Sequence, residues 1–581
     1  MRLLTLLLAS SLCAQVPSRD ARNTDVPHTD THFRMPVYKT RAEWEARAAK
    51  LRKQILFAAG LEPMPERGPL APEIFGRIEN KDYSIEKVLL QTLPGYYLGG
   101  NLYRPLGKSG KFPAVLTPHG HWSYGRLENQ TLCSAPARAI NLARQGYVVF
   151  AYDMVGYNDT MQTPHAFGNP REQLWSFGPL GLQLRNSLRS VDFMQSLPDV
   201  DPDRIAMTGA SGGGTQTFLA TAVDDRIRYS APVNMISAIM QGGSPCENAP
   251  GLRLGTSNLE IGAMMAPRPM LMIAATGDWT RNTPREEYPA LRSIYELYDK
   301  ASELEMIQID APHNYNQQSR EAMYRFFGKR VLGSSDEKQF AEKNVRVEKL
   351  QDMLALWGRT PPANALTYGQ LVEQWITEAG KQSAAATPAA LRERLSLALA
   401  SEWPARVLSE RAGEKIVLSR QGRGDRVPGL WIEAGKRAAL VVHPEGAEAA
   451  RRSPEAREIL SSGDSVLLID AFQTGAAKAG RNHSVKHFDA FNQTDDACRA
   501  QDILTALAFL KQSGYGEIRL TGIGKAALWT LFAAAAAGTP VTLTSDLKAY
   551  SGSDADFIDN FFVPGIQRAG GMEAARRILR P

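Results

Sequence analysis

At 581 residues, with 43% hydrophobic and 22% charged residues, the chain has a globular composition and is too long for one ordinary domain, so two or three are expected. Cores of that size need no disulfide or metal staples. The net charge of +6 is small for the length and no run of five Lys or Arg occurs, which gives no support to a nucleic-acid partner.

The chain opens MRLLTLLLASSLCAQ, with Arg2 ahead of an apolar stretch from Leu3 to Leu12 and a small residue at Ala14. This predicts a signal peptide over residues 1–14, cleaved near Ala14, and an exported protein. A lipoprotein signal would want a smaller residue than Leu12 before Cys13. No later stretch is long and apolar enough for a membrane span. After cleavage Cys133, Cys246 and Cys498 remain. Cys133 and Cys246 could pair if their loops meet; the alternative is three buried thiols behaving as small hydrophobes.

Residues 41–58 carry Trp44, Ala48, Leu51 and Ile55 at helical spacing, with Gly60 placed to stop the helix. Strand-like pieces follow at 86–93 and 96–105, and PAVLTPHGHW (113–122) runs from an apolar strand into a His-Gly turn. A helix is expected over 134–146, a strand over 147–153, a helix over 180–197 and a strand at RIAMTG (204–209). Short apolar strands alternating with helices predict an α/β protein with a doubly wound, mostly parallel sheet.

The pattern then recurs. TPAALRERLSLALASEWP echoes the first helix, RAALVVHPEG echoes FPAVLTPHG, and GEIRLTGIGKAALWTLFA echoes RIAMTGASGGGTQTFLA. The expected organisation is therefore tandem: a catalytic domain over 15–335, a partly helical linker over 336–387 and a second copy over 388–581. Counting from Ser211 to Arg268 and from Gly524 to Arg580 gives 57 and 56 residues, so the second copy is expected to be incomplete.

Gly209, Ser211 and Gly213 form a G-x-S-x-G turn between a strand and a helix. Such a turn holds a serine in a strained conformation with its hydroxyl proud of the sheet, at a helix N-terminus that favours a developing oxyanion. A nucleophilic serine needs a base and the base an orienter, in chain order Ser, Asp or Glu, His. Downstream of Ser211 the first copy holds one histidine, His313, after the strand-like LEMIQID. Asp278 closes the apolar strand RPMLMIAATG, at the carboxyl end where sites of open α/β sheets lie. Glu286 and Glu287 are alternatives but read as an exposed helix start. The N–H groups of Gly212 and His121 are the expected oxyanion donors. His119 and His121 have no third ligand at nearby spacing, so no metal is assigned, and acyl transfer of this kind needs no organic cofactor. Trp122, Tyr124, Tyr157, Trp175, Trp279 and Tyr315 sit in the same loops. They either pack those loops or form a sugar-stacking cleft, with Trp122, Tyr157, Trp175 and Trp279 the candidates for substrate binding.

HGHW, YDMVGYNDTMQ, GASGGGTQTFLATAVDDRI and APHNYN together resemble bacterial secreted α/β-hydrolases related to acetyl xylan esterases and the dienelactone-hydrolase-like group, over roughly residues 35–335. Residues 388–581 resemble the same fold more weakly. The resemblance implies a serine esterase that deacetylates plant polysaccharides or oligosaccharides, with Ser211, Asp278 and His313 at the triad positions. Glucuronoyl esterases resemble one another in an arginine directly after the nucleophile, where this chain has Gly212. A lactone hydrolase, a peptidase on the same fold or a noncatalytic glycan-binding scaffold are the rival readings. In the second copy Gly524 replaces the serine, and His443, His483 and His487 precede the turn rather than follow it. That copy is expected to be noncatalytic. The sequence leaves oligomeric state open.

Overall fold

The computed structural model describes residues 15–580, so the expected signal peptide lies outside the described residues. The chain divides into two compact units. The larger holds Pro27–Ala385 and Lys486–Asn492; the smaller holds the residues up to Val26, Ala386–Val485 and those from Gln493 on. Among the described residues no helix is long and apolar enough to cross a membrane.

The larger unit begins with helix α1 (Arg41–Ala58), opened by a reciprocal cap between Thr40 and Glu43. Its apolar positions recur every three or four residues, so Trp44, Leu51 and Ile55 reach one face and are buried. Gly60, with φ +66°, turns the chain away in the left-handed region. Beside a two-stranded ribbon (Asn129–Gln130 with Cys133–Ser134), the strands of this unit's main sheet are β1 (Glu73–Glu79), β2 (Tyr83–Leu93), β3 (Tyr96–Pro105), β4 (Phe112–Leu116), β5 (Val148–Tyr152), β6 (Val200–Ala210), β7 (Ile227–Val233), β8 (Met270–Gly277) and β9 (Leu304–Pro312). They form one sheet in the order β1-β2-β3-β5-β4-β6-β7-β8-β9. The first three pair antiparallel, β3 pairs antiparallel with β5, and every pairing from β5 to β9 is parallel.

Helices cover both faces because the central strands are apolar on both. Along β5, Val148, Phe150 and Tyr152 point into one core while Val149 and Ala151 point into the other. The first core takes α1 and helices α2 (Pro179–Ser196) and α3 (Gly212–Val223). The second takes helices Ala135–Gln145 and Gln317–Val331. At about 1.5–3 kcal/mol for each fully buried Val, Leu or Phe, these two layers supply the main stabilisation. The stretch read from sequence as a linker contributes to the first core: helix Tyr368–Ala384 buries Leu371, Val372 and Trp375 there.

The smaller unit has a seven-stranded sheet. Its strands are β10 (Val407–Ala412), β11 (Lys415–Arg420), β12 (Val427–Ile432), β13 (Ala438–Val442), β14 (Ser465–Ile469), β15 (Ile518–Gly522) and β16 (Thr542–Leu543). The order is β10-β11-β12-β14-β13-β15-β16, with the pairs β14-β13, β13-β15 and β15-β16 parallel. The same exchange of two neighbours thus follows three antiparallel strands in both sheets. The N-terminal segment belongs to this unit because Arg22 reaches the buried Asp502 at 2.7 Å and Ala21 N–H donates to the Gly424 carbonyl. Burial pushes the Asp502 carboxyl up to about 7, against the pull of Arg22.

Candidate active site

The turn after β6 is built by close packing. A Cβ at Gly213 would lie 2.5 Å from the Pro118 carbonyl oxygen, and one at Gly209 would lie 2.6 Å from that same atom. Only glycine allows the turn to press against the loop after β4. Between them Ser211 is held at φ 58°, ψ −126°, a region non-glycine residues rarely occupy. It caps the N-terminus of α3, and its own N–H donates to the Val233 carbonyl at 3.1 Å.

Asp278 follows β8 and is buried. Its Oδ1 accepts from the N–H and hydroxyl of Thr280 at 2.7 and 2.5 Å, while Oδ2 lies 2.7 Å from Nδ1 of His313. That contact makes Nδ1 the protonated nitrogen and presents the Nε2 lone pair. Nε2 is itself buried without a hydrogen-bond partner. The imidazole packs against two indoles: Trp122 stacks at 6.1 Å and 18°, and Trp279 lies at 4.4 Å and 36°. Trp279 is fixed in turn by its Nε1–H to the Asn234 carbonyl at 3.0 Å.

The loops after β4 and β5 are locked from beneath. His119 Nδ1 lies 2.7 Å from the Gly120 oxygen, and Nε2 accepts the Met154 N–H at 2.9 Å. Burial holds this imidazole neutral by pushing it down to about 3. Arg126, fully buried, pairs with Asp153 and, at 2.5 Å, with Asp159. His121 then stands at the cavity wall with its ring 2.7 Å from where a Gly212 Cβ would lie. No hydrogen bond takes the N–H of Gly212 or His121 among the described residues.

Ser211, His121 and Trp279 line one cavity of about 470 Å³. The sequence did not point to the rest of its wall: Thr29 and Asp30, Met235 and Met240, Gly242 to Ser244, Glu247 and Lys486. Lys486 belongs to the Lys486–Asn492 segment, which docks through Asp489 and Ala490 carbonyls accepting the N–H groups of Gly251 and Arg253. The other expected aromatics serve differently. Tyr157 packs edge-on against His119 and His165, and Tyr315 is buried with its hydroxyl 2.6 Å from that of Thr208. Tyr124 is exposed, and Trp175 packs against the core beside Trp375 rather than lining the cavity. Cys133, Cys246 and Cys498 are free and buried, so the Cys133–Cys246 pairing is not formed. The sequence shows no third ligand near His121, but the fold brings Nε2 of His165 and Sγ of Cys246 each within 3.2 Å of its Nε2.

No family model matches the chain. It is 30% identical over 255 residues to "Putative hydrolase YtaP" of Bacillus subtilis, covering 41% of this chain and 83% of that one. A shorter match, 31% over 153 residues, covers 26% of this chain and 44% of "Polyketide transferase claH" of Penicillium crustosum. Among solved structures, "Methylesterase BT1017" superposes with a TM-score of 0.52 at 30% identity, covering 60% of this chain and 78% of that one. A mixed sheet with the β3-β5-β4-β6 order, a glycine-walled serine turn and these relatives lead to one assignment: the chain belongs to the esterase-like α/β-hydrolase family that includes YtaP and BT1017.

Proposed function

We propose that the chain is an exported serine esterase that cleaves carboxylic esters on carbohydrates. Ser211 attacks the acyl carbon as His313 Nε2 takes its proton; Asp278 holds the imidazole and stabilises its charge. The N–H groups of Gly212 and His121 receive the tetrahedral oxyanion. Collapse expels the alcohol, protonated by His313, and water then releases the acyl group by the same route. The observation that carries this reading is the His313–Asp278 contact at 2.7 Å, which leaves an unpartnered buried Nε2 in the unit that strains Ser211 into its turn. Export rests on the N-terminal sequence alone.

For the ester itself the first reading is an acetyl group on xylan. A second is a methyl ester of an acidic sugar, favoured by the likeness to a methylesterase and by Lys486 on the cavity wall, a cation suited to neighbouring carboxylates. The smaller unit is read as a noncatalytic copy of the same fold, since Gly524 offers no hydroxyl at its turn. The test measures acetate release from acetylated xylan and methanol release from a methyl-esterified uronate polymer, each with the wild type and Ser211→Ala. Ser211-dependent release of one product assigns the ester. Release that persists in Ser211→Ala refutes the mechanism, and no release from either polymer refutes both substrate readings.

A further inference from the structure

His121, His165 and Cys246 come from three separate segments. They are the loop after β4, the loop after β5 and the short turn Pro245–Glu247. Their ligating atoms converge: Nε2 of His121 lies 3.2 Å from Nε2 of His165 and 3.2 Å from Sγ of Cys246, and all three atoms fall within 4.8 Å of one another. A tetrahedral ion with Zn–N of about 2.0–2.1 Å and Zn–S of about 2.3 Å separates its ligands by about 3.3 Å (N to N) and about 3.6 Å (N to S). The two pairs that include His121 stand close to those spacings, and the third pair lies within 4.8 Å.

From this the geometry points to a binding site for a divalent zinc-class ion, held by His121 Nε2, His165 Nε2 and Cys246 Sγ. The surroundings fit. His165 Nδ1 lies 2.7 Å from the Val155 carbonyl oxygen, so Nδ1 carries the proton and Nε2 turns its lone pair to the ion, as in ligating histidines braced by a backbone carbonyl. Tyr157 packs edge-on against the same ring and limits its rotation. Glu247 is not a ligand, because its carboxylate is committed to Thr215 and to the N–H groups of Gly243 and Ser244. Two imidazoles and one thiolate form a donor set that suits zinc, and three protein ligands leave a fourth position open. His121 and Ser244 also line the cavity that holds Ser211, and an ion held here would take water or an oxygen of an entering ligand at its fourth position. Binding releases the Cys246 thiol proton to solvent. The side chain of His121 holds the ion while its backbone N–H stays available, so the site stands or falls apart from the esterase reading.

The test uses the tag-free full chain, stripped with a chelator and titrated with Zn2+ by calorimetry and with Co2+ by absorption. The expected result is one ion per chain and, with Co2+, an intense thiolate-to-metal charge-transfer band alongside the visible bands of a tetrahedral ion. Cys246→Ser should abolish the charge-transfer band. Cys246→Ser and His165→Gln should each weaken Zn2+ binding at least as much as the loss of an outer-sphere partner does, roughly 10–100-fold. The Co2+ spectrum of the unmutated chain tests thiolate ligation even where a variant fails to fold. A wild-type chain with native near-ultraviolet dichroism that binds no Zn2+ overturns the proposal. So does a Co2+ complex lacking the thiolate band, or unchanged Zn2+ affinity in both folded variants.

Discussion

Ser211 and Gly524 occupy matching points in two strand-to-helix turns, and both hold a left-handed φ, +58° and +54°. One turn strains a residue that carries a hydroxyl; the other has the residue that adopts this φ without strain. Ser211→Gly should therefore abolish turnover of p-nitrophenyl acetate, by about 10⁴-fold or more, while stabilising the fold by about 1 kcal/mol. Parallel assays of hydrolysis and thermal unfolding check both halves. A stability loss in the Gly variant would show that the serine turn is not strained.

Asp278 Oδ2 meets His313 Nδ1 in one short contact, and its other oxygen is taken by Thr280. Asp278→Asn keeps the shape but favours the wrong imidazole tautomer. We expect kcat for the small ester to fall by about 10⁴-fold with KM little changed. A drop below tenfold would mean that another group orients the base.

Arg126 is the counter-ion for both Asp153 and Asp159, all three buried beneath the loops that bear His121 and Met154. Arg126→Met leaves two carboxylates without their cation. The expected cost is about 3–5 kcal/mol in chemical denaturation, far above that of a surface pair.

His487 lies in the Lys486–Asn492 segment with its Nε2 buried and unpartnered. Burial lowers its pKa, aided by Lys486 and Arg253 and opposed by Glu247 and a backbone hydrogen bond at Gly243. A histidine with a folded pKa below its unfolded one binds its proton first in the unfolded chain. Its contribution is thus intact above the unfolded value near 6.5 and is lost as pH falls below it. His487→Asn should flatten the decline of the thermal midpoint as pH falls below roughly 6.5. An equally steep decline would remove this residue from the acid response.

What was legible in the sequence is what local chemistry determines. The glycines around Ser211 announce a turn that only glycine can pack, and chain order then leads to Asp278 and His313, which the fold brings to 2.7 Å. Helix α1 followed from the spacing of Trp44, Leu51 and Ile55. The missed features depend on distant residues. β1 is a largely exposed edge with no apolar run, and Trp175 sits in a loop that resembles a cleft but packs on the core. Lys486 reaches the cavity only because a segment late in the chain docks on Gly251 and Arg253. His121, His165 and Cys246 are dozens of residues apart, so no ligand spacing betrays them.

The measurement that bears most directly on the central claim is active-site labelling with a fluorophosphonate, followed by peptide mass mapping. A catalytic serine based by His313 predicts one adduct per chain, on Ser211, formed within minutes and slowed by orders of magnitude in His313→Ala. Labelling at another serine, or none at Ser211 in the folded chain, would contradict the account.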